Sequence, residues 1–211
     1  MMKPKLVVEG KDDEHVVGHL LLRHGLVDQT SPIDIVDAES DHGVLRLAAE
    51  VKTSIGRSVG LVIDADEDVE SRVESLCNRL KDVVDIDKDE FIKCGSFVQK
   101  RKDCEGQSVG GWIMPGKGRT GKLEDFLQDL IPADDKMLDV ATNAVSSAKE
   151  VGAPFPEKDE MKALIHVWLG LQECPGKPMG LAVKCKYFDS KTDMAVAFVD
   201  WVRSVFSLSL S

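Results

Sequence analysis

The sequence predicts an α/β fold built on a central parallel sheet, and three observations carry that expectation. Short β-branched runs alternate with helix-period stripes three times before residue 85. The third run, Val59 to Ile63, is nearly all apolar, as a strand covered on both faces must be. Beyond Pro132 the strand signals fade and helical spacing takes over.

Each element has its own signal. Lys5 to Glu9 is a short strand ending at Gly10, and Val16, Val17, Leu20 and Leu21 set a helix over Asp12 to Arg23 that Gly25 closes. Ile33 to Val36 reads as a second strand, followed by a helix stripe from Val44 to Ile55 opened by Asp41. After the third strand come Asp64-Ala65-Asp66 and a helix over about Val69 to Val84. Phe91 to Val98 and Val109 to Met114 read as further strands, and a helix starts near Gly121. Asp134 to Val151, Lys158 to Gln172 and Lys191 to Phe206 read as helices, with the Gly/Pro-rich 175–180 stretch as a connection between the last two. Helices on both faces of the sheet follow from successive right-handed crossovers. The expected organisation is an α/β unit over 1–131 and a helical extension over 132–211 packed on the same core.

Composition narrows the function classes. The chain has 211 residues, 43% hydrophobic and 30% charged, enough for one sizeable core. No apolar stretch approaches the roughly 20 residues of a membrane span, and the start of the sequence lacks a signal-peptide pattern, so a cytoplasmic protein without membrane association is expected. A net charge of −10 argues against coating nucleic acid by bulk attraction. Between 93 and 122, however, seven basic residues stand against two acids, a local patch for a polyanion in an acidic body or simply a solvated loop. The five cysteines form no C-x-x-C pair with one another and are expected to be reduced and structural.

Ligands of open parallel sheets bind beyond the carboxyl ends of the strands, where Glu9, Asp64 and Asp66 sit. If the first and third strands are neighbours, the three carboxylates converge, and a hard divalent cation relieves their repulsion. Strand-end acids also cap helices, and for any one of the three that role stays open. Glu124 and Asp125 are candidates for a second metal, or they complement the dipole of the helix they open.

With these residues in place, Val7-Val8-Glu9-Gly10-Lys11-Asp12-Asp13 followed by Val62-Ile63-Asp64-Ala65-Asp66 resembles the paired signatures of the Toprim (topoisomerase-primase) domain over about residues 5 to 130. Gly111 to Pro115, Gly121 to Leu127, Val167 to Gly170 and Pro175 to Gly180 resemble a small stand-alone Toprim-like family of unknown function. The resemblance implies a Toprim-like sheet, Mg²⁺ or Mn²⁺ held by Asp64 and Asp66, and Glu9 as a further ligand or as general acid/base in phosphodiester chemistry. Topoisomerase chemistry needs a nucleophilic tyrosine on a DNA-binding domain, whereas the single tyrosine here is Tyr187 in a short helical tail. Primases need a template-binding region, and the nucleases of the overcoming-lysogenization-defect type carry an ATPase that this sequence lacks, so a separate partner ATPase is one expectation.

Other motifs carry less. Gly116 to Lys122 fits G-x-x-x-x-G-K, but Leu123 stands where a P-loop has Ser or Thr. His15 and His19 have zinc-protease spacing without the intervening glutamate, and His24, His42 and His166 read as ordinary histidines. Trp168 and Trp201 read as core aromatics. The leading expectation is a magnesium-dependent nuclease cleaving DNA or RNA through Glu9, Asp64 and Asp66, with Glu124 as a further ligand and Lys11, Lys100, Arg101, Lys102, Lys117, Arg119 and Lys122 on the phosphates. The alternatives are a non-catalytic metal- or phosphate-binding module working with a partner ATPase, and a relic whose acids only cap helices.

Overall fold

The computed structural model describes residues 2–28, 33–38 and 43–208. Its strands are β1 (Lys5–Val8), β2 (Asp34–Asp37), β3 (Val59–Asp64), β4 (Ser96–Lys100) and β5 (Ser108–Met114). They form one sheet in the order β2-β1-β3-β5-β4, in which every pairing is parallel except β4 with β5. The helices among the described residues are α1 (Lys11–Arg23), α2 (Gly43–Thr53), α3 (Val69–Leu80), α4 (Lys88–Cys94), α5 (Leu123–Gln128), α6 (Lys136–Glu150), α7 (Glu160–Gly170), α8 (Met179–Lys184) and α9 (Asp193–Phe206). The expected α/β class with helices on both faces and a helical C-terminal layer is the observed one.

Side-chain alternation sorts the sheet into two faces. Leu6, Val8, Val62, Trp112 and Met114 face α1 and α5 to α9 in one apolar core, while Val7, Leu61, Ile63, Val109 and Ile113 face α2, α3 and α4 in the other. All of β5 and nearly all of β3 are buried, as expected for strands enclosed on both faces. The connection leaving β1 covers the first face and leads to β2 at the edge; the connection leaving β3 covers the second face and leads the other way. The two paths part between β1 and β3, and the carboxyl ends of these strands are where open parallel sheets bind ligands.

Several expected boundaries change. Phe91 to Cys94 is the end of α4 and not strand, because Asp87 caps that helix by accepting from the Glu90 amide and Gly95, at φ +72°, ends it. Only Ser96 onward pairs with β5. The Gly/Pro-rich connection contains α8, which starts right after Pro178 and lies against α1 so closely that a Cβ on Gly180 would fall 2.5 Å from that of His15. Arg23 reinforces this contact by donating to the Phe188 carbonyl at 2.5 Å. Tyr187 follows α8 outside any helix, and its hydroxyl accepts from the Cys174 amide. Asp41, the expected helix opener, and His42 lie outside the described residues. The cysteines are free, but Cys94, Cys174 and Cys185 are exposed, so they are not core residues.

Helix α9 closes the first face. Trp201 donates its indole N–H to the Phe97 carbonyl at 3.1 Å and packs with Trp112 and Phe198. A Cβ on Gly110 would stand 2.3 Å from a methyl of Val205. Gly110→Ala therefore pushes α9 off the sheet, and urea unfolding should register a loss of about 1–3 kcal/mol. An unchanged midpoint would mean that α9 is not seated there.

Candidate functional site

Because β1 and β3 pair in parallel, with Lys5 opposite Val59 and Val7 opposite Leu61, Glu9 just past β1 and Asp64 at the end of β3 reach the same rim. Asp66 is fixed by its backbone. It sits at φ +53° and exchanges two hydrogen bonds with Gly121, donating at 3.0 Å and accepting at 2.9 Å. Gly121, at φ +135°, has no room for a Cβ, which would lie 2.6 Å from the Asp125 carboxyl carbon. That carboxylate accepts from the Lys122 amide at 2.8 Å and so starts α5. Of the two acids opening α5, Asp125 thus serves the helix end, while the charge of Glu124 acts on the rim acids. From α1 comes a fifth acid, Asp13, only 8% exposed.

The electrostatics of this rim are unequal. Burial, and then repulsion from Asp13, Glu9, Asp66 and Glu124, pushes Asp64 up to about 9. Asp13 is pushed up to about 7 by burial and by Glu9. Burial also raises Glu9, although Arg72 pulls the other way. On Asp66 burial acts upward too, but the hydrogen bond and charge of Arg72, helped by Lys122, outweigh it and hold the carboxyl below the usual range. Arg72 is hydrogen-bonded to Asp66 and stands 3.9 Å from Glu9 Oε1, and Lys122 lies 3.2 Å from Asp66. Glu9 Oε1 and Asp64 Oδ1 are buried without a hydrogen-bond partner.

The sequence-predicted acids Glu9, Asp64, Asp66 and Glu124 therefore share one rim. Asp66, however, is turned onto Arg72 and Lys122, and among the described residues no group of three or more His, Cys, Asp or Glu side chains is arranged to hold an ion. The donor chemistry still suits a hard divalent cation: all donors are carboxylate oxygens, and two of them are buried and unsatisfied. Sequence reasoning missed Asp13 as a rim acid and Arg72 altogether. Both are charged residues facing inward from the first turns of the helices that follow Glu9 and Asp66, and helix periodicity could have flagged them.

The basic segment does not form one strip. Lys100 pairs with Ser108 at the start of β5, the opposite end of the sheet from Asp64. Arg101 is buried, donates to the Val51 carbonyl at 3.0 Å and pairs with Asp103, so it is a structural residue and not a phosphate contact. Lys102 is tied to Asp85 at 2.6 Å. Arg119 pairs with Asp129, and Lys11 with Glu14 and Asp37. Lys117 lies in a glycine loop packed on the end of α4, where a Cβ on Gly118 would fall 2.2 Å from the Ile92 carbonyl. Of the expected phosphate contacts, only Lys122 borders the acids. Asp66, Arg72 and Lys122 also line a cleft of about 860 Å³, whose far wall is Val145, Met161 and Leu164 of α6 and α7.

A family model described as "Protein of unknown function (DUF3226)" matches residues 3–207, and the chain belongs to that family. No curated protein and no solved structure matches it. Among the described residues no helix is long and apolar enough to cross a membrane.

Asp13 and Asp64 keep their protons far above the ordinary carboxyl value of 3.8. Their favourable contribution is complete below about pH 4 and is lost as pH rises, toward about 7 for Asp13 and about 9 for Asp64. In metal-free buffer the melting temperature should fall between pH 5 and 9. Asp64→Asn, which removes the cost of protonating that carboxyl on folding, should raise stability at pH 8.5 by about 1–3 kcal/mol. A melting temperature lowered by this variant at pH 8.5 would contradict the assignment.

Proposed function

We propose that this protein is a divalent-cation-dependent hydrolase of phosphodiester bonds, a Toprim-type nuclease in which Glu9 and Asp64 hold Mg²⁺ or Mn²⁺. One observation carries the reading: two carboxylates at the adjoining ends of β1 and β3 each bury an oxygen without a hydrogen-bond partner, and burial, reinforced on Asp64 by the charges of Asp13 and Glu9, favours keeping protons there. Arg72, 3.9 Å from Glu9 and shared with Asp66, leaves the buried oxygens without a hydrogen bond, and a divalent cation would satisfy both. When bound, that cation would neutralise charge on the transferring phosphoryl group and activate water near neutral pH.

The chain's own residues divide the remaining work. Glu9 and Asp64 bind from adjacent strand ends, which fixes their separation by the parallel pairing. Glu124 supplies a further oxygen from the start of α5, and Asp13, buried behind Glu9, holds or releases a proton near neutral pH. Arg72 and Lys122 meet the phosphate oxygens. Asp66, now paired with Arg72 and Lys122, would be free to serve as a third ligand were a phosphate to take those two cations, in keeping with the role the Toprim resemblance gives it.

The same ion pairs favour a second reading, a metal- and phosphate-binding module without catalysis that works with a partner ATPase. Incubating the protein with single- and double-stranded DNA and RNA separates the two. The nuclease reading expects cleavage that needs Mg²⁺ or Mn²⁺, stops in EDTA, and falls on the order of 100-fold or more in Asp64→Asn and Arg72→Ala. Absence of cleavage of every substrate, with ion binding intact, would overturn it in favour of the module.

A further inference from the structure

We infer that the cleft between α3 and the C-terminal helices holds a single phosphorylated small molecule of nucleotide size, with its phosphate on Arg72 and Lys122 and its apolar body against Val145, Met161 and Leu164. The inference extends the proposed function by naming the unit held beside the carboxylates, and it rests on that reading only for which bond is cut.

Size comes first. At about 860 Å³ the cleft falls in the range that encloses small organic ligands. Its two walls differ in character. On the sheet side the first turn of α3 presents Arg72 and the β5–α5 connection presents Lys122, while on the other side Val145 and Leu164 are buried and Met161 is half-buried. A ligand matching both walls has an anionic end and an apolar end a few ångströms apart, as a nucleoside phosphate does. Inorganic phosphate would leave the apolar wall facing water.

Of the three cations lining the cleft, Lys158 is exposed, while Arg72 and Lys122 are half-buried. Of the acids bordering the cleft, Asp68 accepts from the Ser71 amide, Asp125 from the Lys122 amide, and Glu160 pairs with Lys149. Glu67 and Glu157 are exposed. Inside, Arg72 also stands 3.9 Å from Glu9, and the carboxylate that both cations hold is that of Asp66. A phosphate brings more charge and one more oxygen than that carboxylate and takes the guanidinium fork in its place.

A long nucleic-acid backbone is matched less well. Lys100, Arg101 and Lys102 lie at the far end of the sheet and Arg119 is tied to Asp129, so these four do not extend the cleft's cations into a row that follows successive phosphates. The geometry favours one unit, either a free nucleotide or the last residue of a strand.

Calorimetric titration in EDTA tests this with adenosine 5′-monophosphate, uridine 5′-monophosphate and inorganic phosphate as probes. At least one nucleotide should bind about 10-fold or more tightly than phosphate. Arg72→Ala should weaken nucleotide and phosphate alike by about 10-fold or more, and Asp66→Asn, which frees both cations, should tighten both. Met161→Trp should weaken the nucleotide alone, and Val145→Phe, checked for native circular dichroism, should do the same. No nucleotide binding, equal affinity for nucleotide and phosphate, or nucleotide affinity unmoved by both wall variants would overturn the inference. Because EDTA removes divalent ions, such a failure leaves the metal reading standing, whereas a chain that binds nucleotide but no Mn²⁺ defeats only the metal reading.

Discussion

Like charges forced together out of water govern this molecule. The parallel pairing of β1 with β3 delivers Glu9 and Asp64 to one rim, α1 adds Asp13, and α5 adds Glu124. Each ionised carboxylate withdrawn from water without a partner is costly, and their mutual repulsion grows as the local dielectric falls. The chain answers with only two cations, Arg72 and Lys122, and both lean on Asp66. Asp64, the most perturbed acid, has no cation of its own. The imbalance sits in a fold that otherwise buries dozens of apolar residues cleanly, and the proposed cation site is argued from that contrast.

The C-terminal helices share a cleft with Asp66, Arg72 and Lys122. One apolar core runs from Leu6 and Val62 of the sheet to Phe198 and Val205 of α9, and α8 touches α1 so closely that Gly180 admits no side chain. The same layer brings Val145 of α6 and Leu164 of α7 opposite Arg72. Of the rim acids, Asp66 borders the cleft that α6 and α7 complete. Packing of the helical layer and the shape of the binding site are thus a single property.

The sheet was legible in the sequence where its physics is local. The run Val59 to Ile63 shows its double burial in composition alone, and the acids closing β1 and β3 follow from where those strands end. Two kinds of feature were not legible. Phe91 to Cys94 has an apolar look that serves strand or helix equally, and only the Asp87 cap and the Gly95 turn decide it. The basic segment looked continuous because sequence distance hides topology: antiparallel β4 carries Lys100 to the far end of the sheet, while Lys122 stays at the near one. Arg101 looked like a surface cation and is instead buried, bonded to Val51 and Asp103. Arg72 went unremarked because its importance comes from pointing back at Asp66 across the first turn of α3, a relation that only folding creates.

Electron paramagnetic resonance of Mn²⁺ titrated into the protein tests the central claim most directly, because it reports the ion itself and needs neither substrate nor turnover. The account predicts a bound ion whose affinity drops at least about 10-fold in Glu9→Gln and in Asp64→Asn. Binding that is absent from the native protein, or that survives both substitutions unchanged, would contradict it.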